Sequence, residues 1–235
     1  MKNVQVFSDK KTLAKQFGDL LSKLSLEKKE VYIALSGGST PKAIFEVLSH
    51  EYKKKIDWSN LRFFWGDERI VEATDPESNF GMTREHLFDH VSTKAINIFR
   101  VKGELSPDEA VDDYIDVISE NVPQANDLPQ FDLILLGMGD DGHTASIFPH
   151  QIGLWNSENI CELAQHPESG QFRVTLSGKV INNAKQIIFL VTGNNKAKKV
   201  KEIINEEEVA KNYPAALVDK SKCTWFLDKE VASLL

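Results

Sequence analysis

An α/β fold, a doubly wound and mainly parallel sheet with helices on both faces, is what this sequence predicts. Three features predict it. Short apolar runs alternate with helical patterns along the 235 residues, the order of elements that builds a parallel sheet. Several runs are apolar at every position, Leu133-Ile134-Leu135-Leu136 and Ile187-Ile188-Phe189-Leu190-Val191 among them, as strands covered on both faces are. No repeat or low-complexity linker divides the chain, so one domain over residues 1–235 is expected.

The elements follow in order. A weaker strand is expected at 4–7. Residues 12–24 read as a helix, with Leu13, Phe17, Leu20, Leu21 and Leu24 at helical spacing. Strands are expected at 31–35 and 61–65, with a helix at 41–49 between them. A weaker strand falls at 96–99 and a helix at 107–120. The apolar run at 131–136 is a strand, and 172–176 a weaker one. Residues 187–191 are a strand, 196–206 a helix and 224–227 a last strand. The charge runs at 53–55 and 206–208 read as solvated faces.

Composition narrows the function. The apolar share is 41% and the formal net charge −7, which fits a globular core and argues against a general nucleic-acid surface. No apolar run approaches the ~20 residues of a membrane helix, and the first nine residues show no secretory pattern. Cys161 and Cys223 fit neither a disulfide framework nor a CxxC metal site, so a cytoplasmic protein is expected. With this net charge, an anionic ligand must be met by a few local cations.

In open α/β sheets, ligands sit beyond the carboxyl ends of the strands, and three loops there are chemically unusual. The first is Ser36-Gly37-Gly38-Ser39-Thr40-Pro41. Its glycines permit positive φ and close backbone approach. Ser39 or Thr40 suits an N-cap and Pro41 the first helical position, giving a helix N-terminus that can take an anion or simply a tight turn. The second is Gly66-Asp67-Glu68-Arg69, where Arg69 can meet phosphate oxygens in a bidentate manner, or pair with Glu68 on the surface. Ser78-Asn79 follows as a helix cap whose side chains can also face the cleft.

The third loop is Gly137-Met138-Gly139-Asp140-Asp141-Gly142-His143-Thr144. It contains GxGxxG, but Asp140 and Asp141 lie where a pyrophosphate would approach, which argues against a dinucleotide. The glycines instead expose Asp141 and His143. An imidazole, with an ordinary pKa near ~6.5, is a suitable general base, and a neighbouring carboxylate can fix its tautomer. His86 and His90 stand i, i+4 on an expected helix without the HExxH glutamate, so no metal site is expected. No GxSxG elbow or reactive-cysteine context offers a covalent nucleophile.

Together the three loops, continued by Ala145-Ser146-Ile147-Phe148-Pro149, resemble the 6-phosphogluconolactonase family. The likeness extends to Arg173-Val174-Thr175-Leu176, Ile181-Asn182-Asn183-Ala184 and Gly193-Asn194-Asn195-Lys196-Ala197. The resemblance implies a cytoplasmic enzyme that opens a phosphorylated sugar lactone, 6-phosphoglucono-δ-lactone, in the pentose phosphate pathway. It implies His143 as general base and Asp141 as its companion. Gly37, Gly38, Ser39, Thr40, Arg69 and Lys196 would hold phosphate, with Arg173 a further arginine in the cleft. No cofactor, metal, nucleic acid or membrane is expected, and the chain should be a monomer or weak homo-oligomer. The sequence departs from the family pattern at Glu72, at His150 and at Ser177-Gly178-Lys179, none of which removes a proposed catalytic group. The related hexosamine-6-phosphate isomerases usually carry an acidic residue shortly after the loop histidine. Here 144–149 supply none, which favours the lactonase over the isomerase. A non-catalytic sugar-phosphate sensor is expected to lose the base, yet His143 and Asp141 are both present, and no spare segment is expected to carry a DNA-binding module.

Overall fold

The computed structural model describes residues 3–235. Six parallel strands form the central sheet: β1 (Val4–Phe7), β2 (Val31–Leu35), β3 (Leu61–Trp65), then, after three short peripheral strands, β7 (Leu133–Leu136), and, after two more, β10 (Ile187–Val191) and β11 (Cys223–Asp228). Their order in space is β1-β11-β10-β7-β2-β3. The chain winds one way from β2 to β3 and the other way from β7 through β10 to β11. The reversal between β2 and β7 is where such sheets open a crevice.

Helices cover both faces. Leu13, Phe17 and Leu21 of α1 (Lys10–Glu27) and Ile44 and Phe45 of α2 (Ser39–Val47) pack with Leu133, Leu135, Ile188 and Leu190. On the other face, Tyr114 and Ile118 of α4 (Pro107–Asn121), Val180 and Ile181 of α5 (Gly178–Asn183) and Val200 of α6 (Ala197–Ile204) pack with Ile134, Leu136, Phe189 and Val191. Successive strand residues point to opposite sides, so the continuous apolar runs serve two cores. Each fully buried side chain of this size contributes roughly 1.5–3 kcal/mol relative to exposure.

The doubly wound reading therefore holds, with local corrections. Residues 172–176 do form a strand, β9 (Phe172–Leu176), but it lies in a separate antiparallel sheet of order β4-β9-β8. Its neighbours are β4 (Asp67–Arg69), expected as loop, and β8 (Cys161–Gln165). Residues 96–99 are not a strand: a helical turn at Ala95–Asn97 leads to one isolated bridge between Ile98 and Phe63. A two-strand ribbon, β5 (Gln124–Ala125) and β6 (Leu128–Pro129), precedes β7. His86 and His90 do not share a helix, because α3 (Asn79–His86) ends before Leu87 leaves helical geometry (φ −133°, ψ −64°). Their rings meet different partners, Glu46 for His86 and the Glu85 carbonyl for His90.

The end of β3 is held where the chain leaves the main sheet. The buried hydroxyl of Tyr114 accepts from Trp65 N–H at 2.7 Å and donates to Trp65 C=O at 2.9 Å. An edge strand there would otherwise leave both groups unpaired in the core. Gly66 then turns the chain into β4, its N–H bonded to Leu35 C=O at 2.8 Å.

Candidate active site

Loops following β2, β3, β7 and β10 meet over the sheet and line a cleft of about 320 Å³. Seven of its wall residues, Gly37, Gly38, Ser39, Thr40, Arg69, Arg173 and Lys196, are those expected from the sequence to bind substrate, and His143 joins them. Asp141 stands behind the histidine.

The first wall is the turn into α2. Gly38 adopts φ +98° and is itself the N-cap, with no side-chain cap. This corrects the expected capping by Ser39 or Thr40 and moves Pro41 to the third helical position. Thr40 instead bonds Thr192 Oγ1 at 2.8 Å, tying this turn to the loop after β10. Gly37 is needed for a different reason: a Cβ there would lie 1.7 Å from Asn79 Oδ1.

The second wall is one face of the β4–β9 pair. The register sets Asp67 opposite Thr175 and Arg69 opposite Arg173. Alternation puts Asp67 and Arg69 on the cleft side and Glu68 on the other. Glu68 does not pair with the Arg69 guanidinium as a surface reading allowed. It is 3% exposed and accepts the backbone N–H groups of Arg69, Asn79 and Phe80 at 2.7–2.8 Å and the Ser78 hydroxyl at 3.2 Å. It thus holds the start of α3, where Ser78 accepts from Gly81 N–H as expected of a cap. Burial pushes the Glu68 carboxyl above its ordinary range, against the pull of those donors.

Arg69 donates to Glu77 C=O at 2.7 Å. Neither Arg69, Arg173 nor Lys196 is in an ion pair among the described residues, and the Nε atoms of both arginines are buried without a partner. Burial, and then the charge of Arg69, push Arg173 below the usual arginine range, and burial lowers Lys196 likewise. Cations held under such a penalty favour an anion that fills the cleft.

The third wall is the histidine loop. His143 Nδ1 lies 2.7 Å from Asp141 Oδ1, which also accepts His143 N–H at 3.0 Å. The ionised carboxylate only accepts, so Nδ1 carries the hydrogen and a neutral ring keeps its lone pair on Nε2. Burial pushes the Asp141 carboxyl up, but the bonds from the His143 ring and backbone outweigh it and hold the group below the usual range. Gly139 gives the ring room, since a Cβ there would sit 2.2 Å from Nδ1 and Cε1. Gly142, at φ +89°, lies against Tyr213, whose hydroxyl is bonded to Glu202 at 2.8 Å. Asn195 bonds Asp140 at 2.8 Å and fastens this loop to the one carrying Lys196. No α-helix follows the glycines directly; a turn leads to a 3₁₀ segment at Pro149–Asn156, so the helix that a dinucleotide fingerprint needs is missing there.

Sequence reasoning missed several members of the site. Asp67 and Ala145 line the cleft, and Ala145 adopts φ +48°; Asn79 lines it too, as the cap reading allowed. The Asp67 position was visible in the second loop, but only strand alternation assigns its side chain to the cleft. Phe148, quoted only as part of a motif, contacts four groups at once. Its ring centroid lies 4.7 Å from that of His143, 5.9 Å from His150 and 5.3 Å from His166, with Arg173 5.6 Å away.

Residues 9–226 match the family described as glucosamine-6-phosphate isomerases/6-phosphogluconolactonase. A 6-phosphogluconolactonase of Haemophilus influenzae is 46% identical over 87% of this chain and 88% of its own. One of Treponema pallidum is 40% identical over 94% and 91%. Among solved structures, the crystal structure of the devB protein superposes with a TM-score of 0.92 at 40% identity, covering 99% of each chain.

Proposed function

Since the chain belongs to the glucosamine-6-phosphate isomerase and 6-phosphogluconolactonase family, we propose that it hydrolyses 6-phospho-D-glucono-1,5-lactone to 6-phosphogluconate, the lactone-opening step of the oxidative pentose phosphate pathway. The observation that carries this reading is the His143–Asp141 pair at 2.7 Å, in a strand-end cleft whose three cations lack ion-pair partners among the described residues. A δ-lactone is a reactive ester, so an activated water suffices and no enzyme nucleophile is required. Water attacks the lactone carbonyl as His143 Nε2 takes its proton. Asp141 stabilises the imidazolium that forms. The oxyanion then collapses, the ring C–O bond breaks, and the imidazolium returns the proton to the departing ring oxygen.

The phosphate is held away from the carbonyl by Arg69, Lys196 and the N–H groups at the start of α2, which orient the substrate. Arg173 adds a further cation to the cleft. Residues 1–235 act as a single lactonase domain in the cytoplasm, as a monomer or weak homo-oligomer without nucleic acid. Among the described residues no helix is long and apolar enough to cross a membrane. The lactonase reading is favoured over the isomerase one by the names of the 40–46% identical relatives and by the absence of an acidic residue at 144–149.

The test is a coupled assay on freshly generated 6-phosphogluconolactone, corrected for spontaneous hydrolysis. The wild-type chain is expected to accelerate it, and His143→Ala to lose ~10²–10⁴-fold in kcat while still binding 6-phosphogluconate. A variant with wild-type kcat would remove His143 from the mechanism.

A further inference from the structure

One carboxylate in the cleft has no place in the mechanism above. Asp67 is 7% exposed and lines the cleft two residues from Arg69. Its Oδ2 accepts the Ser146 hydroxyl at 2.7 Å. Ser146 is fully buried, and its N–H donates to Thr175 Oγ1 at 3.2 Å, so this side of the carboxylate is fixed from behind. The Oδ1 atom accepts no hydrogen bond and the group forms no ion pair among the described residues.

That oxygen opens on the cleft, and a ligand that fills the cleft strips it of water, which is costly unless the ligand itself supplies a donor. The phosphate cannot, because two anions repel, and the three cations of the cleft leave Asp67 unpaired. A carboxylate only accepts hydrogen bonds, so its complement is a neutral donor. On the proposed substrate, the donors other than the phosphate are the ring hydroxyls. We infer that Asp67 is the specificity group for the sugar ring, its Oδ1 accepting a ring hydroxyl while Ser146 holds Oδ2. The inference rests on the lactonase reading above and names what part of the lactone this wall recognises. A lactone lacking that hydroxyl leaves the carboxylate desolvated and unpaired, and a site of this kind discriminates strongly.

The test compares kcat/KM for 6-phosphogluconolactone and its 2-deoxy, 3-deoxy and 4-deoxy analogues in the wild type, Asp67→Ala and Asp67→Asn. The wild type should disfavour at least one deoxy analogue by about 10–100-fold, the worth of one charge-assisted hydrogen bond. In Asp67→Ala that ratio should fall to near one, and in Asp67→Asn to an intermediate value. The ratio is internal to each protein, so partial misfolding cancels. Where turnover is too slow, affinities by calorimetry for 1,5-anhydroglucitol 6-phosphate, a stable cyclic analogue, and its deoxy forms make the same comparison. Wild-type selectivity retained in both variants overturns the inference, and so does a wild type that ignores all three hydroxyls. A wild type that does not hydrolyse the parent lactone overturns the lactonase reading first and this inference with it.

Discussion

A carboxylate can accept hydrogen bonds but not donate them, and three acidic residues of this site take different roles under that one rule. Glu68 collects donors at the start of α3, Asp67 turns to the cleft, and Asp141 sets the His143 tautomer. Asn at 141 keeps an acceptor oxygen but loses the charge that stabilises the imidazolium. Asp141→Asn is therefore expected to fold and to lose between about 10-fold and ~10⁴-fold in kcat, with an altered pH–rate profile. Unchanged kcat and profile together would reduce Asp141 to shaping the loop. His143 and Asp141 were legible in the sequence because they are two residues apart in one loop, so their contact needs no distant element. The orientation of Asp67 was not, because it depends on a sheet assembled from remote segments.

At the scale of elements, the antiparallel β4–β9 pair and the N-terminal turns of α2 and α6 bring the cations together. Arg69 and Arg173 are 104 positions apart in sequence yet directly opposite in register. If they and Lys196 serve the phosphate, Arg69→Ala or Lys196→Ala should weaken 6-phosphogluconate binding by roughly 1.5–3 kcal/mol, about one to two decades in affinity. Titration calorimetry measures that loss. The same variants should lose much less on unphosphorylated gluconolactone, and equal losses on both lactones would assign these residues to the fold or the chemistry instead. The glycine-rich turn into α2 was readable in the sequence, whereas the capping residue was not. Gly38 takes that place through its positive φ, and Thr40 is drawn away by Thr192 from the loop after β10.

Across the whole molecule, the cleft occupies the carboxyl end of the sheet, and an ion cluster ties the opposite end. Asp132, just before β7, is 6% exposed and accepts Lys28 at 2.6 Å, Lys185 at 2.9 Å and Tyr32 N–H at 3.0 Å. Burial pushes its carboxyl up, but the lysines and the backbone donor prevail and hold it below its ordinary 3.8. A depressed carboxyl contributes stability that is complete above its unfolded pKa and is lost as pH falls through the folded one. Asp132→Asn should therefore be about 1–2 kcal/mol less stable than wild type at pH 7, the lysines being half-exposed and screened. The gap should hold to about pH 5 and shrink below about pH 4, as urea unfolding at each pH will show. A gap constant down to pH 2 would mean that packing rather than charge is lost. The alternating apolar runs by themselves determined the parallel sheet and its two covered faces, because the burial of a strand on both sides is written in consecutive residues. The three loops were legible for the same local reason. Only the tertiary structure decided that residues 67–69 and 172–176 leave that sheet for a second one, that 96–99 makes a single bridge, and that Asp67 faces the cleft. Those outcomes depend on which strand finds which edge, a long-range competition in which local pattern has no vote.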